Sequence, residues 1–575
     1  MAAAERRGRP RPARWARGRL LLAFLCALPL VAAHAGDPLE TRIASIVAAR
    51  AAERGPGTPG LRDPGWLAQV YSPSSPGPVW FTSAGPRPSV AVALSELRAA
   101  TDRGLRPGDY GIDALEPPVE AATRPGAPAD AVAQADVALT TAVLRFMSDA
   151  RFGRVRPQEV EPHFRAPAKD AAFVGGLRDA VAADRLAPAI DAAEPTLQVY
   201  ARLKAALAWY RTLATQPSAP VPEVVRPRTK VVEGDAWTGV GALRDRLVLL
   251  GDLAAEVPAP ADGRYAGEIV AAVRRFQSRH GLEPDGVVGR QTIEALNVPV
   301  AARVTQIELA LERLRWLPEL PPGPAIAINI PSFQLWALAD ASDTRGAALA
   351  MPVVVGQALR NETPVFIGAM RAVEFSPYWN VPPAILKNEV LPRLARDPGY
   401  LQREGMELVP ARGQGAAITT IDAAGLAALR DGTMRVRQRP GPKNALGGVK
   451  FVLPNTMDVY LHGTPEGQLF ERTRRDFSHG CIRVRDPEAL AAFVLRERPE
   501  WTSGAIGAAM TSGQNRWVRL PAPIPVIVFY TTAIVDAAGR ATFMADVYGH
   551  DATLLAALRR SRRQPEHASP APSSP

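Results

Sequence analysis

One short stretch holds most of the residues that could do chemistry. Cys481 lies in the run SHGCIRV at 478–484, and His462 lies nineteen positions earlier in YLHGTP at 460–465, in a chain with only seven histidines. A free thiol has a pKa of about 8.5, so it needs a base or a nearby cation to attack as a thiolate at neutral pH. This combination predicts a nucleophilic cysteine with a histidine partner.

The residues around the cysteine fit that chemistry. The loop between Gly463 and Phe477 is long enough to let His462 return and face Cys481. Gly480 permits close approach of the backbone, so main-chain N–H groups near the cysteine could stabilise an oxyanion. Arg483, with a histidine, could lower the pKa of the thiol.

Two other readings use the same residues. His462, His479 and Cys481 could bind zinc, but no pattern of Asp or Glu supplies the rest of a closed ligand shell. A papain-like protease would place its histidine after the cysteine, whereas here the histidine comes first. We therefore expect no metal site and no bound cofactor.

The N-terminus has the pattern of an exported protein. An Arg-rich start, an apolar run over 20–33 and small residues near Ala35 predict a secretory signal peptide at 1–35. If the segment stayed uncleaved it would act as an anchor, and membrane association would follow. We expect an exported protein.

Cleavage would change what the composition implies. Seven arginines and one glutamate leave, which lowers the formal charge of +11 by six and removes most of the support for nucleic-acid binding. Cys26 leaves too, so the lone Cys481 can form neither an internal disulfide nor a multi-cysteine metal site.

The 575 residues are too many for one core, and three units are predicted to position the motif. Residues 36–225 show helical periodicity between Pro/Gly-rich breaks, which predicts a helical scaffold domain with no residue set of its own for chemistry. Residues 239–300 place Val270, Val273 and Phe276 on one helical face before Gly281 and the Asp285-Gly286 turn. This pattern resembles a small all-α peptidoglycan-binding domain.

The third unit contains the cysteine motif. Residues 322–535 are rich in short β-forming runs, which predicts a β-rich (α+β) catalytic domain. Residues 380–438 interrupt these runs with a partly helical insertion that we expect to act as a lid. Residues 561–575 are predicted to be a disordered tail.

The motif resembles the catalytic domain of the L,D-transpeptidases. In that family a His-Gly or His-Asp pair is followed by a loop and then by Ser/Thr-His-Gly-Cys, with Arg or Asn two places after the cysteine. The resemblance covers about 322–535, and the domain order is similar to the large Gram-negative type with a substrate-capping insertion. It makes Cys481 the nucleophile and His462 the base, with the Gly463 carbonyl orienting the imidazole. The supporting positions are Tyr460, Ser478, His479, Gly480 and Arg483.

The resemblance implies a cysteine acyltransferase of the periplasm, associated with the cell wall. Cys481 would attack the third residue of a stem tetrapeptide, release D-alanine and pass the acyl group from a thioester to an amine. If a stem amine takes the acyl group, a 3→3 cross-link results. If water takes it, the enzyme is a carboxypeptidase or a hydrolase of wall peptides. If a protein lysine takes it, a protein becomes attached to the wall. A wall-binding structural protein with a degenerate enzyme domain is a further alternative, which the intact Cys/His set disfavours. A carbapenem is expected to acylate the cysteine.

Overall fold

The computed structural model describes residues 38–52, 61–225, 229–341, 346–397, 399–412 and 416–562. The predicted signal peptide lies outside these ranges. The last helix contains Ser561 and ends at Arg562, so the prediction of a disordered tail was wrong for these two residues. The rest of the predicted tail, 563–575, lies outside the described residues. Within the described ranges, every helix is too short or too polar to span a membrane.

The first unit is helical. One cluster of buried apolar side chains runs through it from Ile43 to Ala193. The longest helix, α5, is buried on most of its faces and packs against α1 and α4. The elements are α1 (Pro38–Ala52), α2 (Gly65–Val70), β1 (Phe81–Thr82), β2 (Gly85–Pro86), α3 (Ser89–Arg98), α4 (Ile112–Ala122), α5 (Ala129–Phe152), α6 (Ala172–Ala182), α7 (Leu186–Ala193) and α8 (Gln198–Ala214), with 3₁₀ turns at Ala99–Arg103, Pro107–Tyr110 and Pro157–Glu159.

The second unit has its own small core. Val270, Val273 and Phe276 are buried together, as the helical spacing predicts. A two-residue antiparallel ladder accompanies the helices. The elements are β3 (Lys230–Val231), α9 (Val240–Leu249), α10 (Glu268–Arg279), β4 (Val288–Gly289) and α11 (Arg290–Leu296).

The helix α12 (Val300–Trp316) joins the three units. It packs against α8, and together they cover Ala533 and Phe543 from the C-terminal part of the chain. Glu312 accepts hydrogen bonds from the backbone N–H groups of Arg154 (2.6 Å) and Val155 (2.9 Å) after α5. The scaffold and the catalytic domain therefore share a packed junction.

The third unit is built on a nine-stranded sheet. In spatial order its strands are β14 (Asp476–Ser478), β7 (Leu349–Gly356), β15 (Ile482–Val484), β13 (Leu461–His462), β12 (Val449–Val452), β8 (Phe366–Phe375), β16 (Arg516–Phe529), β5 (Ala325–Asn329) and β6 (Gln334–Leu338). A further pairing of β6 with β7 closes the sheet into a barrel. Before the insertion these elements are β5 (Ala325–Asn329), β6 (Gln334–Leu338), β7 (Leu349–Gly356) and β8 (Phe366–Phe375).

The insertion forms a subdomain with its own antiparallel sheet, in the order β10-β11-β9. Leu401, Leu408 and Val436 belong to its separate apolar core. Its elements are β9 (Trp379–Asn380), α13 (Pro383–Ile385), a π-helical turn (Leu386–Val390), α14 (Leu391–Leu394), α15 (Tyr400–Arg403), β10 (Met406–Pro410), α16 (Ala423–Arg430) and β11 (Met434–Gln438).

After the insertion the chain returns to the barrel. The elements are β12 (Val449–Val452), β13 (Leu461–His462), a 3₁₀ turn (Gly467–Glu471), β14 (Asp476–Ser478), β15 (Ile482–Val484), α17 (Pro487–Val494), α18 (Ser503–Thr511), β16 (Arg516–Phe529), β17 (Ala533–Val535), β18 (Ala541–Phe543) and α19 (His550–Arg562). Leu554 of α19 packs into the same core as barrel residues, and so does Val160 of the scaffold. The predicted fold class, a multidomain chain with a helical N-terminal part, a peptidoglycan-binding-like unit and a β-rich C-terminal part, is confirmed.

Candidate active site

The pairing of two short strands brings the predicted residues together. β13 and β15 are parallel neighbours, with Leu461 opposite Ile482 and His462 opposite Arg483. Side chains alternate across a strand, and Leu461 and Ile482 both point into the barrel core. The residues on either side of them, including Cys481 just before β15, therefore face the other way, towards the site.

His462 is held as a neutral imidazole. Its side chain is buried, and Nδ1 lies 2.5 Å from the carbonyl oxygen of Gly463. A carbonyl can only accept, so Nδ1 carries the proton and Nε2 is left as the acceptor. Burial lowers the pKa of His462 to about 3, and the positive charges of Arg483 and Lys450 add to the effect. The geometry agrees with the orienting contact expected for Gly463.

Cys481 is partly buried, and its thiol donates to the Asp458 carbonyl oxygen over 3.5 Å. Burial raises the pKa of the thiol, while hydrogen bonds from the backbone and side chain of Tyr460 and the charge of Lys450 oppose the rise. The sequence-based expectation that a histidine and Arg483 lower this pKa is not met, because burial outweighs the favourable charges. The resting nucleophile is thus a thiol.

Lys450 was not found from the sequence. It lies on β12 directly opposite His462, and its ammonium sits 4.1 Å from the centre of the Tyr460 ring. The Tyr460 ring in turn lies 5.6 Å from the His462 ring. The cation therefore acts on the thiol, the tyrosine and the imidazole together. Only the strand pairing, and no local motif, places it there.

The turn before Cys481 is fixed by hydrogen bonds. Ser478 Oγ donates to the Cys481 carbonyl oxygen (2.5 Å) and accepts from the Gly480 N–H (3.1 Å). Gly480 has a φ of +109°, a conformation that a residue with a Cβ rarely adopts. These contacts give Ser478 and Gly480 a role in setting the direction of the cysteine.

A second anchor of this turn, Thr363, was also missed by sequence reasoning. Its hydroxyl donates to the Gly480 carbonyl oxygen (2.8 Å) and accepts from the Gly356 N–H (2.8 Å). Tyr548 donates to the Gly356 carbonyl oxygen over 2.5 Å. A Cβ on Gly356 would lie 1.9 Å from the Asn361 carbonyl oxygen, so only glycine allows this close packing.

The two remaining predicted residues face in different directions. Arg483 pairs with Glu466 in the loop after β13. His479 turns towards the insertion, where its Nε2 lies 2.7 Å from Oε1 of Glu389 in the π-helical turn. The insertion therefore contacts the residue two positions before the cysteine.

The arrangement offers one thiol, one neutral base and several positioning groups. Within the described ranges, no group of three or more His, Cys, Asp or Glu side chains is arranged to hold a metal ion. All eight predicted site residues, from Tyr460 to Arg483, lie in this one region. The geometry suits nucleophilic attack by sulfur on an acyl carbon, with proton transfer through an imidazole.

Comparison with known protein families agrees with this geometry. Residues 323–518 match the family model of the L,D-transpeptidase catalytic domain. Residues 238–296 match the family model described as "Putative peptidoglycan binding domain", and residues 65–207 match that of a scaffold domain. A protein of Haemophilus influenzae described as "Putative L,D-transpeptidase" is 31% identical over 267 residues. That match covers 46% of this chain and 52% of the relative, so the chain spans about half of the relative's length.

A crystal structure of an L,D-transpeptidase (Yku) from Stackebrandtia nassauensis is also similar. The match covers 53% of this chain and 97% of that chain at 14% identity, with a TM-score of 0.22. That score is too low to support conclusions about fold or function.

Proposed function

We propose that Cys481 carries the acyl group of a peptidoglycan stem peptide. The premise is that residues 323–518 are an L,D-transpeptidase catalytic domain and that residues 238–296 are a peptidoglycan-binding domain. The observation that carries the proposal is the parallel pairing of β13 with β15. It places the Cys481 thiol and the neutral His462 imidazole on one face of the barrel.

The first step is acylation. The Cys481 sulfur attacks the carbonyl carbon of the third stem residue, and the thiol proton passes to Nε2 of His462. The C–N bond to the terminal D-alanine then breaks, and its nitrogen takes that proton from the imidazolium. A thioester remains. Negative charge that develops during attack favours protonation of an imidazole that is otherwise kept neutral.

The second step is transfer. The side-chain amine of another stem attacks the thioester, its proton passes to His462, and the sulfur leaves and regains that proton. The product is a 3→3 cross-link. Water in place of the amine gives hydrolysis, and a protein lysine gives attachment of a protein to the wall. Exclusion of water from the thioester favours attack by the amine. The insertion, which contacts His479, is suited to shield the thioester from water.

The other domains have supporting roles in this proposal. The unit at 239–300 binds peptidoglycan and raises the local substrate concentration through its covalent link to the catalytic domain. The insertion at 380–438 covers the donor stem, and its own core allows it to move as one body. The enzyme acts in the periplasm at the cell wall after removal of the signal peptide, without a cofactor.

Purified mature protein incubated with disaccharide tetrapeptides tests the proposal. Tetrapeptide dimers are the expected product, with a thioester or a carbapenem adduct visible by intact-mass spectrometry of the sole thiol. Cys481→Ala and Cys481→Ser lose both adduct and dimers, since a serine hydroxyl is a far weaker acid than a thiol. Trimmed monomers alone would indicate a carboxypeptidase instead. An equal adduct on Cys481→Ala would rule out this cysteine as the nucleophile.

A further inference from the structure

A cleft of about 370 Å³ opens at Cys481, and most of its lining comes from parts of the chain that the mechanism above does not use. One wall is the scaffold segment 160–163, and the other is formed by the loops 361–365 and 457–459 and by His550. The residues that line it come from outside the insertion. The cleft therefore gives access to Cys481 from the scaffold side.

The cleft is acidic in a basic protein. Its lining includes the carboxylates of Glu161, Glu362 and Asp458 beside the imidazoles of His163, His479 and His550, and no lysine or arginine is among the described residues that line it. The chain as a whole has a formal charge of +11, of which six belong to the predicted signal peptide. A cleft lined by one sign of charge raises the local concentration of a ligand of the opposite sign. The lining therefore favours a cation next to the nucleophile.

The scaffold wall is fixed to the catalytic domain by His550. Glu161 is buried, and its Oε1 lies 2.8 Å from Nδ1 of His550, while Oε2 of Glu362 lies 3.6 Å from Nε2 of the same ring. The His550 ring stacks on Tyr530 at 4.4 Å. This contact engages Glu161, whereas Glu362 is partly exposed and Asp458 is exposed at the cleft surface.

We propose that this cleft is the acceptor subsite, and that Glu362 and Asp458 bind the ammonium form of the incoming amine. The inference rests on the proposed function and adds where its second substrate binds. The bound ammonium loses a proton to solvent, its nitrogen attacks the thioester carbon, and the C–S bond breaks. The second proton of the nitrogen passes through His462 to the leaving sulfur. The scaffold domain is then part of the substrate site.

The variant Glu362→Gln tests the proposal in the full-length mature enzyme. Asp458 is left unchanged, because its carbonyl oxygen accepts the Cys481 thiol and a substitution there would disturb acylation itself. The Gln retains an oxygen that can accept the Leu359 N–H, which Glu362 Oε1 now accepts at 3.1 Å. The structure of the cleft is therefore expected to survive the change.

The measurement separates the two steps. The rate of acylation by a tetrapeptide donor is read by intact mass, and the rate of dimer formation is followed against the concentration of a stem peptide with a free side-chain amine. We expect the acceptor KM to rise by about 1.5-fold to fivefold, because a partly exposed charge pair contributes roughly 0.2–1 kcal/mol. Acylation and hydrolysis by water, which is neutral, stay within about twofold.

A matched control removes one charge elsewhere. Glu497 pairs with Arg496 on the exposed surface, outside the cleft lining. Glu497→Gln should leave the acceptor KM unchanged. A normal donor adduct with an unchanged acceptor KM in Glu362→Gln would overturn this inference alone, and so would an equal rise in Glu497→Gln. Absence of the donor adduct in the wild type would overturn the proposed function and the inference together.

Discussion

Replacement of Thr363 by valine should loosen the turn that holds Cys481, without touching the nucleophile. Thr363 is fully buried, and its hydroxyl is both the acceptor for the Gly356 N–H and the donor to the Gly480 carbonyl, each at 2.8 Å. Valine has nearly the same shape but a methyl group in place of the hydroxyl. Gly356 and Gly480 are both buried, so each would lose a partner that water does not readily replace.

The size of the effect follows from these two groups. A buried polar group left without a partner costs about 1–3 kcal/mol, so two of them lower the free energy of unfolding by about 2–6 kcal/mol. At roughly 2–4 °C per kcal/mol for a unit of this size, about 4 kcal/mol lowers Tm by about 8–16 °C. Release of the Gly480 carbonyl also lets the thiol shift, and a displacement of about 1 Å can slow acylation by about a hundredfold.

Thr363→Ser is the matched control, because it retains the hydroxyl and removes only a methyl group. Thermal unfolding and urea unfolding report stability, and the rate of carbapenem adduct formation at Cys481, measured by intact mass, reports the site. The valine variant should lose both stability and acylation rate, while the serine variant keeps most of both. Equal stability and equal acylation in the two variants would show that the hydroxyl bonds do not hold the turn.

The remaining predictions concern the titration of the site, the insertion and the unit at 239–300. The acylation rate of the wild type should rise through the alkaline range without a step near pH 6.5, because the pKa of the Cys481 thiol is raised and that of His462 is about 3. His462→Ala should slow acylation at all these pH values, and a step near pH 6.5 in the wild type would contradict the neutral imidazole. Glu389→Gln should raise the donor KM up to about fivefold, since the pair between Glu389 and His479 is partly exposed. Removal of 380–438 should raise both the donor KM and the ratio of hydrolysis to transfer, and unchanged values would argue against a lid. Removal of 239–300 should weaken sedimentation with sacculi yet leave acylation by a small soluble donor intact, and loss of that acylation would make the unit a structural part of the enzyme.

The sequence predicted those features that depend on residues close together in the chain. Helical spacing identified the face formed by Val270, Val273 and Phe276, because the period of an α-helix is a local property. The runs of β-forming residues indicated the barrel strands for the same reason. The motif around Cys481, with His462 nineteen positions earlier, was specific enough to indicate cysteine chemistry and a family resemblance.

The tertiary structure decided which distant residues complete the site. Lys450, Thr363 and Glu389 come from different strands and loops, and Glu161 comes from a domain more than three hundred positions before the cysteine. No residue pattern in 36–225 predicted a chemical role for the scaffold. Contacts of this kind leave no periodic pattern, since strand order and register fix them rather than neighbouring residues.

The charge state of the site was also a tertiary property. The residue types around Cys481 suggested a lowered thiol pKa, but burial of the thiol outweighs the cations and raises it. Burial likewise makes His462 a neutral base, a state that its position in the motif does not reveal. The sequence therefore indicated the candidate nucleophile and base, while packing and desolvation, which depend on the whole fold, determined their protonation.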